Sequence, residues 1–207
     1  FDESGSANSI AWYTENWISK TLSLPLVSEP GEKFVYHSAA PAICGPIIEK
    51  TTGMPVTEFA KKYLFGPLQI SDYLWHTLPD GSTLTAGGML MRPRDMAKFG
   101  YLILSRGQWR GQQILSEKWV DISTRNYVSD NELGYGYYWW LSEYKGENDF
   151  YETIFASGHG GQRVMVVPEV NLVAVFTSKP DDNPKGHARV LQIFENYILP
   201  SILTSGS

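Results

Sequence analysis

Cysteine is nearly missing from these 207 residues: Cys44 is the only one, so no internal disulfide can form and the redox compartment stays open. It lies in the apolar run Ala39-Ala40-Pro41-Ala42-Ile43-Cys44 and reads as a packed residue rather than a nucleophile. No apolar stretch reaches the roughly 18 residues that span a bilayer. Runs of lysine and arginine are missing too, and a formal charge of −5 offers no electrostatic footprint for nucleic acid or a membrane surface. The four histidines, His37, His76, His159 and His187, lie far apart and show no metal-ligand spacing, which argues against a zinc site. No internal repeat or low-complexity segment appears. A secretory signal is not visible either: the chain opens on the polar run Phe1-Asp2-Glu3-Ser4-Gly5-Ser6, which reads as the middle of a longer protein.

What is present suits a folded domain. Hydrophobic residues make up 43% of the chain and charged ones 19%, enough apolar side chains for one sizeable core. Aromatics are plentiful, with 7 Trp and 12 Tyr, and such residues both fill cores and line clefts. The first part, to about residue 130, reads as helices joined by loops. One short helix falls near Ile10 to Thr21. A second follows Ser38, a capping residue, and runs to Lys50 with Gly53 past its end; Ala39, Ile43 and Ile47 share a face, and Pro46 should kink it. A third, about Thr57 to Phe65, buries Phe59, Ala60, Tyr63 and Leu64. Pro93 opens a fourth, with Met96, Phe99, Gly100 and Ile103 inward, and Gly107 closes it; Ser116 caps a fifth through about Thr124.

From about residue 131 the chain changes character. Tyr135 to Trp140, Glu152 to Ser157, Gln162 to Val167 and Asn171 to Ser178 are short β-rich segments, the last two joined by the turn Pro168-Glu169-Val170-Asn171 into a hairpin. A final helix, about Gly186 to Leu199, should stop at Pro200. The pattern predicts an α/β (α+β) fold in one domain: an antiparallel sheet flanked by helices, and a mostly helical lobe.

Three segments can carry chemistry. Tyr36-His37-Ser38 sits where an extended stretch meets a helix start, a place that presents side chains and free backbone donors. Tyr36 can act there as a general base, or simply pack its ring while Ser38 caps. Ser157-Gly158-His159-Gly160-Gly161-Gln162 precedes a strand, and its glycines let a substrate or another backbone approach; it reads equally as a turn with a surface histidine. Thr85-Ala86-Gly87-Gly88-Met89 is a loop ahead of an amphipathic helix, with no chemistry implied by itself. Ser142-Glu143-Tyr144-Lys145 matches a Ser-x-x-Lys pattern, but that mechanism needs a helix start, and the match trails a Trp-rich strand.

In order along the chain, Pro30-Gly31-Glu32-Lys33-Phe34-Val35-Tyr36-His37-Ser38, Ile47 to Gly53, the Gly87-Gly88 loop with Arg94 to Gly100, Tyr135-Gly136-Tyr137 with Trp139-Trp140, and Gly158 to Gln162 resemble β-lactamase-related serine hydrolases. That group includes class C β-lactamases, D-alanyl-D-alanine peptidases, related esterases and aminohexanoate-oligomer hydrolases. The resemblance runs from about Ser23 to Ser178. It implies a β-lactamase/transpeptidase-like fold with the site between the lobes, and hydrolysis of an ester, amide or peptide-like substrate through an acyl-enzyme, without metal or cofactor. Tyr36 would be the acid–base group and Ser38 its polar partner. His159-Gly160-Gly161 would replace Lys-Thr-Gly, and the Gln162 N–H would be one oxyanion donor. His37, Gly87, Gly88 and Trp139, with Gly160 and Gly161, would contact substrate. The family usually works in the periplasm or outside the cell.

The chain departs from that pattern twice. No Ser-x-x-Lys precedes Tyr36, which implies that the nucleophile, its lysine and the first strands belong to a segment upstream, and that these residues alone are inactive. His159 also replaces a lysine, and an imidazole attracts a substrate carboxylate less than a fixed ammonium does. The balance shifts from a β-lactamase or D-Ala-D-Ala carboxypeptidase proper towards an esterase or amidase for less anionic acyl groups. A non-catalytic binding protein of the same fold is the alternative from another class.

Overall fold

The computed structural model describes residues 16–26, 28–36, 38–130, 133–145, 150–178 and 185–203. The chain divides into two compact units, Phe1–Met91 and Arg92–Ser207.

Among the described residues, the first unit holds helices and one small hairpin. Helix α1 spans Trp17–Leu22 and buries Trp17 completely; its indole N–H donates to Asp80 Oδ2 at 2.9 Å. Burial acts to raise the Asp80 pKa, but bonds from the Ser82 side chain and backbone and from Trp17 hold it below the usual value. Residues 10–15 of the expected first helix lie outside the described residues, as does His37.

Helix α2, Ala39–Thr52, ends as expected, with Gly53 in the left-handed region and its N–H on the Glu49 carbonyl at 2.9 Å. Its buried positions are Ala39, Ala42 and Gly45, while Ile47 is exposed. The inward stripe therefore follows small residues, not the Ala39-Ile43-Ile47 row read from hydrophobicity. Helix α3, Val56–Ala60, runs straight into a π-helical turn, Lys61–Phe65, in which the Gly66 N–H reaches the Lys61 carbonyl at 2.9 Å. The wider turn advances the inward face by one residue. Val56, Ala60 and Phe65 are buried, whereas Tyr63 is exposed and Phe59 and Leu64 are half-buried. Strands β1, Tyr73–Trp75, and β2, Met89–Met91, form the antiparallel hairpin.

The second unit opens with helix α4, Pro93–Leu104, whose Pro93 stands in the first turn as predicted. The two-residue strands β3, Gln108–Trp109, and β4, Gln112–Gln113, follow. Helix α5, Glu117–Ser123, is capped by Ser116, which accepts the Trp119 N–H. Six antiparallel strands then build the sheet: β5 (Val128–Asp130), β6 (Leu133–Tyr135), β7 (Trp140–Lys145), β8 (Phe150–Gly158), β9 (Gln162–Val167) and β10 (Leu172–Phe176), in the spatial order β10-β9-β8-β7-β6-β5.

Both faces of this sheet are covered. Phe155, Met165, Val167, Ala174 and Tyr144 pack against Phe194 and Leu199 of the C-terminal helical segment. On the other face, Val166, Ile154 and Val173 meet Ile103 of α4 and Val120 of α5. Double coverage explains why β9 is buried from Arg163 to Val167 and carries almost no polar alternation.

Two expectations give way here. Tyr135 to Trp140 is not one strand: β6 ends at Tyr135 and β7 starts at Trp140. The Gly136 N–H closes the turn on the Trp139 carbonyl at 2.8 Å, and Tyr138 adopts a φ of 66°. The last helix also passes Pro200. Helix α6, Lys185–Ile193, leads into a π-helical turn, Phe194–Ile198, and then α7, Leu199–Leu203. The widened turn just ahead of Pro200 gives its ring room where a regular turn would clash. Among the described residues, no helix is long and apolar enough to cross a membrane.

Candidate active site

In the first unit, irregular backbone from Lys33 leads to Tyr36, whose side chain is half exposed, and Ser38 takes the N-cap position of α2. Ser38 has helical backbone angles (φ −78°, ψ −23°), and its hydroxyl makes no capping bond, so the cap role read from sequence is not filled. The following turns of α2 are built to receive the Gly87-Gly88 loop. Pro46 has no N–H, which leaves the Ala42 carbonyl without its partner four residues on. The Thr85 hydroxyl supplies the missing donor, reaching Ala42 O at 2.9 Å and Pro41 O at 2.7 Å. Gly45 makes this approach possible, since a Cβ there would stand 3.1 Å from Thr85. The Trp75 indole holds the loop from its other side, bonding to Leu84 O at 2.9 Å and Gly87 O at 3.1 Å. Gly87 and Gly88 are exposed, and the space beside Gly87 is open to at least 4 Å.

In the second unit, His159, Gly160 and Gly161 form the tight turn at the tip of the β8–β9 hairpin, with Gly158 and Gln162 paired at its base. His159 is exposed, and Gly160 and Gly161 have φ values of 76° and 90°, which a side chain would strain. Ser178, just past β10, fastens this tip. Its N–H donates to Gln162 Oε1 at 3.2 Å, its carbonyl accepts from Gln162 Nε2, and its hydroxyl donates to the Gly160 carbonyl.

The β6–β7 turn lies at the same end of the sheet, because β7 begins at Trp140 opposite Phe155, near the end of β8. Trp139 packs with Ile103, Val120 and Val166, while Trp140 joins the opposite face with Tyr144 and Phe155, so the two adjacent tryptophans do part. Around Tyr137 the turn displays exposed aromatics: Tyr127 stacks on Tyr137 at 5.1 Å, and Trp119 tilts towards it at 5.9 Å. Nothing in the sequence spacing linked these three rings. Arg163 was equally hard to anticipate. It is buried with its guanidinium 4.9 Å from the Phe155 ring; burial lowers its pKa, and burial raises that of Tyr144 beside it.

Ser142 and Lys145 both lie on strand β7. Three residues apart on a strand, they project to opposite faces, which removes them as a nucleophile–base pair.

A family model described as Beta-lactamase matches residues 3–195. The chain is 22% identical over 254 residues to N-acetylmuramyl-L-alanine amidase of Bacillus subtilis, covering 88% of this chain and 57% of that protein. It is 26% identical over 172 residues to 6-aminohexanoate-dimer hydrolase of Paenarthrobacter ureafaciens, covering 77% and 43%. The fold matches that of simvastatin synthase from Aspergillus terreus with a TM-score of 0.69 at 16% identity, over 93% of this chain and 62% of that one. The chain thus spans about half the length of the curated relatives it matches.

Proposed function

Because the chain belongs to the β-lactamase family, we propose that the protein is a serine hydrolase that cleaves an ester or amide through an acyl-enzyme. In this reading the nucleophilic serine and its lysine are carried by a part of the protein outside these 207 residues. The Tyr36 phenol oxygen accepts the serine proton as the carbonyl is attacked while its own proton passes to the amine of that lysine; Tyr36 then protonates the leaving group and regains its proton from the lysine. The backbone N–H of Gln162 and that of the nucleophile donate to the oxyanion that forms. Ser38, Gly87, Gly88, His159, Gly160 and Gly161 are further candidates for contact with substrate.

The observation that carries this reading is the hairpin tip at 159–161. His159 on it is exposed, Gly160 is half-buried and Gly161 buried behind it, and the turn is fastened at Gly160 and Gln162. Further support comes from relatives whose names describe an amidase and a hydrolase: an N-acetylmuramyl-L-alanine amidase and a 6-aminohexanoate-dimer hydrolase. A histidine at 159 brings no fixed cation towards a substrate carboxylate, so neutral acyl groups are preferred over anionic ones.

Turnover of neutral aryl esters and amides by the intact protein, compared with Tyr36→Phe, tests the proposal. Loss of the phenol should lower kcat by about 10²- to 10⁴-fold, the range for general acid–base groups, with a much smaller effect on KM. An unchanged kcat would take Tyr36 out of the chemistry and the reading with it.

A further inference from the structure

We propose that Ser178 is a positioning residue for the tip of the β8–β9 hairpin, acting together with the side-chain amide of Gln162. The inference rests on the hydrolase reading for its catalytic consequence, but its structural content stands on the hairpin alone.

The β9–β10 ladder pairs Leu172 with Val167 and ends with Phe176 opposite Arg163. Continued in register, Ser178 would face Gly161, which is already turned into the tip with a φ of 90°. The backbone therefore cannot supply the next rung. Gln162 supplies it with its side chain. A carboxamide has the same donor–acceptor pair as a peptide group, and here Oε1 accepts the Ser178 N–H at 3.2 Å while Nε2 donates to the Ser178 carbonyl. The Ser178 hydroxyl crosses to the Gly160 carbonyl. One residue thus holds the tip at two points on either side of Gly161.

The tip needs such restraint. Two consecutive glycines with positive φ leave it more conformers than any other residue pair would, and ordering them costs entropy. His159 precedes them and the Gln162 N–H follows them, so both proposed contacts to substrate inherit whatever geometry the tip adopts. A displacement of about 1 Å at reacting groups can cost on the order of 10²-fold in rate. Glutamine suits this place where glutamate does not, since a carboxylate cannot donate to the Ser178 carbonyl.

The test compares Ser178→Ala, Ser178→Thr and Gln162→Glu in the intact protein by two independent readouts. The first is the backbone amide resonances of His159, Gly160, Gly161 and Gln162, which need no substrate. Ser178→Ala and Gln162→Glu should shift and broaden them, while Ser178→Thr, which keeps the hydroxyl, should restore the native pattern. The second is steady-state kinetics. Ser178→Ala should lower kcat about 10-fold with KM within about twofold, as expected for a lost transition-state contact, and Ser178→Thr should recover most of the loss. Unchanged amide resonances in Ser178→Ala would overturn the clamp. Shifted resonances with an unchanged kcat would overturn its positioning role. If the native protein turns over no ester or amide, the hydrolase reading fails separately, and the resonances alone decide whether Ser178 orders the tip.

Discussion

At Gly100 two opposing residue-scale effects can be weighed. It lies inside helix α4, where alanine would normally be favoured by about 1 kcal/mol. Yet a Cβ there would come within 2.7 Å of Val173 Cγ1 and 2.8 Å of Val164 Cγ1, on the strands that α4 covers. Forcing a methyl into such a contact costs about 1–3 kcal/mol. Gly100→Ala is therefore expected to destabilise the protein by roughly 1 kcal/mol, the difference of those two effects. A chemical-denaturation midpoint checks it, and a stabilised variant would show that the helix lifts off the sheet at no cost. Gly100 was visible in the sequence as an inward position. Its reason, the approach of two valines from strands more than 60 residues on, was not.

Elements were legible where local rules set their ends and illegible where a turn changed the period. Ser116, Pro93 and Gly53 marked helix boundaries because capping and dihedral preferences act within a few residues. The two π-helical turns break the 3.6-residue count, which is why Phe65 was missed as a core residue and why the last helix continues past Pro200. The split of Tyr135 to Trp140 escaped for a similar reason: tyrosines and tryptophans favour strands, while the turn depends on a positive φ that Tyr138 seldom adopts.

Helix α2 shows how a defect in one element becomes an anchor for another. Pro46 lies inside it, and the carbonyl that Pro46 leaves unmatched receives the Thr85 hydroxyl. Thr85→Val keeps the shape of the side chain but removes that donor. It should destabilise the first unit by about 1–3 kcal/mol, the range for a carbonyl left without its partner. Thr85→Ser should lose much less. Equal losses for valine and serine would mean that the threonine methyl, not the hydroxyl, holds the Gly87-Gly88 loop on α2.

At the scale of the whole molecule, the family was readable because five short motifs keep their order from about Ser23 to Ser178, and the match to residues 3–195 confirms membership. Runs such as Tyr36-His37-Ser38 and His159-Gly160-Gly161-Gln162 announce themselves because their members are contiguous. Their supports do not. Thr85 reaches Pro41 across 44 positions, and Ser178 reaches Gly160 across 18, distances over which a single sequence offers no pattern.

The proposed hydrolysis requires an acyl-enzyme on a serine. Intact-mass analysis of the full protein after exposure to a serine-reactive fluorophosphonate tests it most directly. One adduct per molecule is expected, on a serine outside these 207 residues that lies in a Ser-x-x-Lys sequence, with labelling slowed by Tyr36→Phe. A folded, intact protein that remains unlabelled, or one labelled only at a serine within this chain, would contradict the proposed acyl-enzyme.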